Sequence, residues 1–285
     1  MDCNTLLITS LNSGSNGNCY YIGNDEEAIL IDAGISCKET EIRMKRLGLS
    51  MHKVKALFIS HEHSDHIRGV CVMARKYSIP VYVTTGTLLN CKFNKIKTEL
   101  IHELRSFETI TVGSLQITGF PKVHDAAEPH SFIIASGDTK VGVFTDLGIV
   151  CEELIKHFKQ CDAAFLEANY DEDMLHNGRY PYYLKRRISG GQGHLSNKQA
   201  LDLFLEHKPA HMTHLLLSHL SKDNNSPELV QHLFETHAGA IKIIVASRYV
   251  ETPVFSIGPT AISNAFAETS QLNLLDQLAL YPSAG

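Results

Sequence analysis

The chain has 285 residues, 44% of them hydrophobic and 20% charged, so it is long enough for one large α/β domain or two small ones and too apolar for wholesale disorder. Its net charge of −5 gives no overall basic field, which leaves metal ions or a local basic patch to attract a polyanion. Its seven cysteines form no CxxC spacing, no signal-peptide pattern opens the chain and no apolar run approaches the roughly 18 residues of a membrane span, so we expect a cytoplasmic protein with no membrane partner.

The first half of the chain predicts alternating strands and helices. Short apolar runs bounded by glycine, asparagine or aspartate indicate strands, and longer amphipathic segments indicate helices. A glycine- and serine-rich turn at 13–18 follows the first strand. The predicted elements are strands over 5–11, 19–22, 28–31, 54–60 and 80–84 and helices over 39–47 and 70–77.

The second half repeats this pattern. Its predicted elements are two strands within 109–120, strands over 130–135, 140–145, 163–167, 214–218 and 241–246, and helices over 151–157 and 198–206. Because strands and helices alternate in two similar halves, the sequence predicts an α/β fold built as a four-layer αββα sandwich. We expect one domain over 1–260 with a short, substrate-facing insertion at about 170–193, and a weakly structured tail over 261–285 in which 272–280 is either a short helix or a disordered end.

Three of the sixteen histidines fall in one segment, His61-Glu62-His63-Ser64-Asp65-His66. This HxHxDH pattern directly follows the apolar strand predicted over 54–60. A sharp turn at a strand end lets several side chains converge, and three imidazoles and a carboxylate at this density are suitable ligands for a shared divalent metal. The alternative is a solvated histidine-rich turn, which the preceding apolar strand disfavours.

Four further residues of metal-ligand types each follow a predicted strand. They are Asp32, His124, Asp146 and His219. An aspartate after a strand usually caps a helix or forms a turn, so none of them carries weight alone. Their recurrence at strand ends is what indicates a common site.

In chain order, these residues and the HxHxDH segment resemble the five motifs of the metallo-β-lactamase superfamily. The resemblance implies the αββα metallo-β-lactamase fold and a hydrolase with two divalent metal ions. The implied ligands are His61, His63 and His124 for one ion, Asp65, His66 and His219 for the other, and Asp146 as the bridge. Asp32 is implied to orient a ligand histidine through a hydrogen bond. Ligands of these types accept manganese, zinc or iron.

A second motif narrows the resemblance to nucleases. The segment Gly193-His194-Leu195-Ser196, followed by a helix and a strand, resembles a marker of the β-CASP branch of the superfamily. That likeness implies that His194 contacts the scissile phosphate or its leaving oxygen, and that Glu167 orients the active site. Only 24 residues lie between Asn169 and His194, so the large inserted domain of that branch, and the closed RNA channel it builds, are not expected.

Most of the chain resembles the YycJ/WalJ-like bacterial proteins. The matching segments are 10–20, 169–171, 178–181, 185–188, 193–197 and 217–225. The resemblance implies a metal-dependent DNA exonuclease that acts from 5′ ends, although typical members carry histidine where this chain has Tyr170. We expect Asp65 to align the nucleophile or take its proton while serving as a ligand, and His194 to stabilise the transition state.

Two other interpretations stay open. The first is another hydrolase on the same fold: a ribonuclease, a small-molecule phosphodiesterase or a thioesterase of the glyoxalase II kind. The second is a non-catalytic regulatory protein that has kept the site. The oligomeric state is not specified by the sequence.

Polar residues near these motifs are the predicted contacts to nucleic acid, and to DNA in particular. They are Lys185, Arg186, Arg187, Tyr180, Ser196, Asn224 and Asn225. The consecutive basic residues lie in a predicted loop and would hold backbone phosphates, the tyrosine would stack on a base, and the asparagines would bind phosphate oxygens. The alternatives are a solvated loop, a tyrosine that packs the base of that loop, and a turn that caps the helix starting at Pro227.

Overall fold

The computed structural model describes residues 4–259, and the predicted tail over 261–285 lies outside them. The strands are Leu6–Asn12 (β1), Cys19–Gly23 (β2), Ala28–Ile31 (β3), Val54–Phe58 (β4), Val81–Val83 (β5), Ile101–Glu103 (β6), Thr109–Val112 (β7), Leu115–Pro121 (β8), His130–Ser136 (β9), Thr139–Phe144 (β10), Ala163–Glu167 (β11), His214–Ser218 (β12), Lys242–Val245 (β13) and Phe255–Ile257 (β14). The helices are Cys37–Arg46 (α1), Ser64–Ile67 (α2), Val70–Tyr77 (α3), Thr85–Asn90 (α4), Glu152–Phe158 (α5), Glu172–Asn177 (α6), Tyr182–Ser189 (α7), Asn197–His207 (α8) and Pro227–Ala238 (α9). Every element predicted from the sequence within these residues is present, with ends that differ by no more than two residues.

The strands form two sheets of seven strands each. The first has the order β14-β1-β2-β3-β4-β5-β6 and the second the order β13-β12-β11-β10-β9-β8-β7. In each sheet four neighbouring strands are parallel, β3 to β6 in the first and β10 to β13 in the second, and the others are antiparallel. Because the carboxyl ends of parallel strands meet at one edge of a sheet, residues that follow these strands are brought together.

Three apolar layers hold the sheets and helices together. Alternate residues of β3 face opposite sides: Ile29 and Ile31 pack between the two sheets, whereas Ala28 and Leu30 pack in the layer beneath the helices. Helices α1 and α3 cover the outer face of the first sheet, and α5, α8 and α9 cover that of the second. The predicted four-layer αββα sandwich is therefore confirmed. None of the helices within residues 4–259 has the length and apolar composition needed to cross a membrane.

The segment at about 170–193 contains two helices, α6 and α7, that the sequence did not predict. The basic run Lys185 to Arg187, expected in a loop, lies within α7. Leu184 and Ile188, four residues apart, are the half-buried apolar positions of this helix, whereas its tyrosines and arginines are exposed. The proline at 181 and the glycines at 190 and 191 indicated a loop, but they flank a helix of only eight residues.

Three of the predicted strand-end residues adopt the left-handed backbone conformation. The φ angles are 61° at Asp32, 54° at Asp146 and 56° at His219. Residues other than glycine rarely adopt this conformation, and where they do the surrounding structure has to hold them. The chain turns sharply at these positions, so that the three side chains end at the same edge of the sandwich.

Candidate metal centre

Three imidazoles form the first group of candidate ligands. Nε2 of His61 lies 3.1 Å from Nδ1 of His63. The ring of His124 is 4.9 Å from that of His61 and 5.1 Å from that of His63, measured between centroids. One nitrogen from each of the three residues falls within 4.8 Å of the others, a spacing at which all three can bind one cation.

Asp65, His66 and His219 face one another beside this group. Oδ2 of Asp65 lies 3.6 Å from Nε2 of His66 and 3.8 Å from Nε2 of His219. Asp146 lies between the two groups, because its Oδ2 is 3.2 Å from Nε2 of His66 and its Oδ1 is 3.9 Å from Nε2 of His124. The structure therefore brings together all seven residues that the sequence assigned as metal ligands.

The rings are held from behind by contacts to the nitrogen that points away from the centre. Nδ1 of His61 lies 2.9 Å from Oγ of Ser60, and Nδ1 of His124 lies 2.9 Å from the carbonyl oxygen of Gly193. Nδ1 of His66 lies 2.7 Å from Oδ2 of Asp32. Contacts of this kind fix the ring orientation of metal-binding histidines and leave Nε2 facing the centre.

Asp32 lies behind His66, a candidate ligand, as the sequence predicted. It is fully buried, and besides its contact with His66 it accepts hydrogen bonds of 2.8 Å from both the backbone nitrogen and the hydroxyl of Ser60. These bonds tie the end of β3 to the residue that precedes the HxHxDH segment. A carboxylate held in this way orients His66 and increases its basicity as a ligand.

Burial and neighbouring charges shift the pKa values of the site in opposite directions. Burial lowers the pKa of His61 well below its usual value and that of His124 to about 4. Burial also lowers the pKa of His66 and His219, but neighbouring carboxylates together outweigh it. Asp146, Asp32 and Asp65 raise the pKa of His66 well above its usual value, and Asp146 and Glu167 raise that of His219 to about 10. Burial raises the pKa of Asp146, yet His219 and His66 hold it well below its ordinary range. Both forms of imidazole are thus stabilised within one small cluster.

Several buried polar atoms of the cluster have no hydrogen-bond partner among residues 4–259. They include Nε2 of His124, both ring nitrogens of His219, Oδ1 of Asp125 and Oδ2 of Asp146. Burying such an atom unsatisfied costs about 1–3 kcal/mol, so a native site normally supplies a partner. Imidazole nitrogens and carboxylate oxygens without any cysteine are donors that suit zinc, manganese and iron. The residues therefore fit divalent metal ions.

His194 lies beside both ligand groups. Its ring is 5.4 Å from that of His124 and 5.1 Å from that of His219. Its Nδ1 is 2.7 Å from Oε1 of the buried Glu167, whose Oε2 accepts a 2.6 Å hydrogen bond from the backbone of Leu147. Burial raises the pKa of Glu167, but the neighbouring histidines lower it to about 2. A permanently charged carboxylate thus orients His194, with Nε2 directed away from it.

The predicted phosphate and base contacts lie farther from the centre. Lys185 donates a 2.7 Å hydrogen bond to the carbonyl oxygen of His176, and Arg186 is exposed. Nε of Arg187 lies 2.6 Å from Oδ2 of Asp125, the residue after His124. Of the three, Arg187 is thus tied to the rim of the metal centre.

Tyr180 is half-buried, and its hydroxyl donates a 2.9 Å hydrogen bond to Asp223. That bond connects the turn between α6 and α7 to the loop after β12. The ring is thereby held in place, and its stacking on a base stays a prediction.

Ser196, Asn224 and Asn225 are buried, where the sequence had suggested substrate contacts. The Ser196 hydroxyl caps α8 and donates to Glu172, while Nδ2 of Asn225 donates to the carbonyl oxygens of residues 168 and 169. These bonds hold the loops around His194 and His219. A direct contact with substrate would require an exposure that these side chains lack.

Two residues that the sequence did not single out lie at the centre. Oδ1 of Asp125 is 3.4 Å from Nε2 of His124. Nδ2 of Asn18, at the end of the glycine-rich turn, is 3.0 Å from Nε2 of His66 and 3.3 Å from Oδ2 of Asp65. The adjacency of Asp125 to a ligand histidine is a sequence signal for it, whereas Asn18 is brought in only by the packing of the turn.

The chain is similar in sequence and fold to known proteins. Residues 27–219 match the family model described as the β-lactamase superfamily domain. The chain is 37% identical over 228 residues to exodeoxyribonuclease YycJ of Bacillus anthracis, covering 79% of this chain and 86% of that protein. It is 34% identical over 223 residues to exodeoxyribonuclease WalJ of Streptococcus pneumoniae, covering 77% and 83%. The crystal structure of the metallo-β-lactamase fold protein YhfI of Bacillus subtilis superposes with a TM-score of 0.68 at 17% identity over 89% of this chain and 100% of YhfI, which shows a shared fold.

Proposed function

This chain belongs to the β-lactamase superfamily, within the family of the exodeoxyribonucleases YycJ and WalJ, and we propose that it is itself a two-metal-dependent DNA exonuclease acting in the 5′-to-3′ direction. The observation that carries the proposal is the position of Asp146 between the two ligand groups, with His194 beside both. A carboxylate shared between two ligand groups, next to a histidine that can approach a substrate, is suited to phosphodiester hydrolysis.

Two divalent ions, manganese or zinc with iron as a third option, would be held by the residues described above. The proposed sets are His61, His63 and His124 for one ion and Asp65, His66 and His219 for the other, with Asp146 shared. When bound, such a pair stabilises negative charge on phosphoryl oxygens and makes water a stronger nucleophile.

The remaining steps fall to side chains of the protein. Asp65, with 18% of its side chain exposed, is placed to align the attacking water and to take a proton from it. The water oxygen bonds to phosphorus as the bond from phosphorus to the 3′ oxygen breaks. His194, fixed through Nδ1 by Glu167, directs Nε2 towards the scissile group and supplies the proton or hydrogen bond that the leaving 3′ oxygen needs.

Helix α7 would guide the strand to this centre. Its basic residues stand on a short helix, and Arg187 of this helix reaches the loop that carries His124 through Asp125. Lys185 and Arg186 are then placed to contact successive backbone phosphates without reading sequence.

The decisive experiment is a nuclease assay on 5′- and 3′-labelled single- and double-stranded DNA and RNA, with manganese, zinc or a chelator. We expect labelled mononucleotides to appear first from 5′-labelled DNA, and no product with chelator. Degradation of RNA alone, release from the 3′ end first, or cleavage of thioesters with no cleavage of DNA would contradict the proposal. A metal-loaded protein inactive on every substrate would favour the regulatory alternative.

A further inference from the structure

A cavity lies beside Leu220, the residue that follows His219. It has a volume of about 310 Å³, at the lower end of small-ligand pockets. Its walls come from the turn after β1, the loop after β12 and the segment after β13. The residues that matter for its chemistry are Ser13, Ser221, Lys222, Arg248 and Tyr249. None of the described residues that line it is acidic.

One wall of this cavity is bonded directly to a predicted metal ligand. Oγ of Ser13 accepts a 2.7 Å hydrogen bond from the backbone nitrogen of His219, and Leu220, the next residue, also lines the cavity. The backbone nitrogen of Ser13 in turn donates to the carbonyl oxygen of Ser247. A ligand in the cavity would therefore lie next to the catalytic edge of the sandwich.

Two cations face this cavity without a carboxylate partner. Arg187 and Arg179 each pair with an aspartate, at 2.6 Å and 2.9 Å. Within residues 4–259, by contrast, neither Lys222 nor Arg248 lies within ion-pair distance of a carboxylate, and the hydrogen bond of Arg248 runs from Nη2 to the carbonyl oxygen of Leu220 at 3.3 Å. Two such cations in a cavity without acidic walls attract an anion, and a guanidinium with free donors suits phosphate.

The glycine-rich turn is shaped around the guanidinium of Arg248. A Cβ atom on Gly14 would lie 2.8 Å from Nη2 of Arg248, and the φ angle of +137° at Gly14 is one that other residues rarely adopt. Asn16 of the same turn donates a 2.9 Å hydrogen bond to the carbonyl oxygen of Arg248. The turn thus holds Arg248 against the cavity, which gives the segment 13–17 a role that the metal centre alone does not explain.

We propose that this cavity, the Arg248 pocket, binds the 5′-terminal nucleotide of the strand being degraded and selects strands that end in a phosphomonoester. The inference rests on the proposed exonuclease function and specifies its end preference. Arg248 and Lys222 contact the terminal phosphate, and Tyr249, 66% exposed at the cavity, offers a face for the base. The next phosphodiester then lies on the His219 side, where the hydrolytic residues are.

Nucleotide binding tests the pocket without relying on turnover. Thymidine 5′-monophosphate, thymidine 3′-monophosphate and thymidine are titrated calorimetrically into the metal-loaded full chain, with Arg248→Gln, Lys222→Gln and the control Arg75→Gln. Arg75 is a matched control because it is exposed and donates to the carbonyl oxygen of Cys71 in its own helix, far in sequence from the pocket. We expect Arg248→Gln to weaken binding of the 5′-monophosphate roughly 10-fold or more, Lys222→Gln to weaken it less, and Arg75→Gln to leave it unchanged.

Equal binding by wild type and both pocket variants would overturn the proposal. Equal affinity for the 3′-monophosphate would overturn the 5′ assignment. Lys222 is exposed, and its side chain makes no hydrogen bond to another of residues 4–259. Lys222→Gln should therefore fold, and it still tests the pocket if Arg248→Gln does not fold.

Digestion of matched DNA strands with a 5′-phosphate or a 5′-hydroxyl separates this inference from the exonuclease function. We expect wild type to digest the strand with the 5′-phosphate faster than the strand with the 5′-hydroxyl. The ratio of the two rates should be about 10-fold smaller in Arg248→Gln. Rapid digestion of both ends, unchanged in the variant, overturns the pocket and leaves the exonuclease intact. Arg248-dependent binding of the 5′-monophosphate with no digestion of any DNA supports the pocket and refutes the exonuclease.

Discussion

Asp65 is the proposed ligand whose removal should separate activity from folding most cleanly. Its side chain is partly exposed, whereas its backbone oxygen accepts the 2.7 Å hydrogen bond from Asn18 that secures the loop and that a substitution leaves in place. We expect Asp65→Ala to lower turnover by at least about 100-fold, because a ligand is lost together with the group that aligns water. The measurements are nuclease turnover, bound metal by mass spectrometry and the thermal midpoint. Full activity in this variant would refute the site assignment.

His194 should affect the chemical step more than binding. Replacing it by alanine removes the group that we propose acts at the leaving oxygen while the seven predicted ligands remain, so we expect kcat to fall roughly 10²- to 10⁴-fold with little change in KM. Glu167→Gln is the companion variant: it keeps the shape of the side chain but removes the charge that orients His194, and should give a smaller loss. Steady-state kinetics on a labelled DNA strand provide the comparison. An unchanged kcat in His194→Ala would eliminate the proposed role.

The cluster of proposed ligands could be predicted from sequence because residues of these types recur at strand ends and match a known motif order. Which polar side chains of the motifs are buried could not be predicted from the sequence. Ser196 and Asn225 are polar residues inside motifs, so they suggested substrate contacts, yet the chain folds them inwards to cap α8 and to bind backbone oxygens. Asp125 could have been suspected from its place next to His124, whereas its contact with Arg187, 62 positions away, depends on the fold.

Among the elements, the loop that carries Gly34 sets how closely the HxHxDH segment can approach β3. A Cβ atom on Gly34 would lie 1.6 Å from the backbone oxygen of Asp65 and 2.5 Å from the backbone nitrogen of Asn18. Both atoms belong to backbone and cannot rotate away, so Gly34→Ala should cost about 3 kcal/mol or more in the free energy of unfolding or displace the segment and its metal. Urea unfolding and metal content report the two outcomes.

Gly48→Ala is the control for that substitution. Gly48 has a φ angle of +71°, and a Cβ atom placed on it would meet only open space. Gly48→Ala should therefore add only backbone strain and lower the free energy of unfolding by about 1 kcal/mol. If Gly34→Ala were no more destabilising than this control and kept its metal, close packing at Gly34 would not be what positions the segment.

Helix α7 is an example of a short element that is difficult to predict from sequence. Its eight residues offer two half-buried apolar positions, Leu184 and Ile188, which is too little periodicity to stand out between a proline and two glycines. Strand β6, of three residues, is likewise defined by pairing with β5 rather than by its own pattern. In both cases the tertiary contacts select the element.

For the whole molecule, the alternation of elements predicted the layers, but the order of strands depends on pairings distant in sequence. β14 pairs with β1, joining Leu6 to Ile257 across almost the whole described chain. No local pattern specifies such a pairing, because the two segments lie far apart in sequence and the chain between them has to fold to bring them together.

His214 provides a test of that common core through pH. It lies on β12 of the second sheet, buried, with its ring 5.4 Å from Phe255 on β14 of the first sheet. Burial lowers the pKa of His214 to about 4, with a further contribution from Lys242. An unfolded histidine has a pKa of about 6.5, so between these values the unfolded chain binds more protons than the folded one. The stability linked to His214 is therefore fully present above pH 6.5 and is lost as the pH falls towards 4.

His214→Phe keeps an aromatic ring against Phe255 but removes the titrating group. Between pH 7 and pH 5, wild type should lose about 1–2 kcal/mol more of its free energy of unfolding than the variant does, because only wild type gains the proton on unfolding. Urea unfolding at both pH values measures this difference, and the acid sensitivity of the metal centre cancels because the two proteins share it. Parallel losses in the two proteins would mean that His214 is already protonated in the folded state, and hence that the contact between the two sheets at this point admits water.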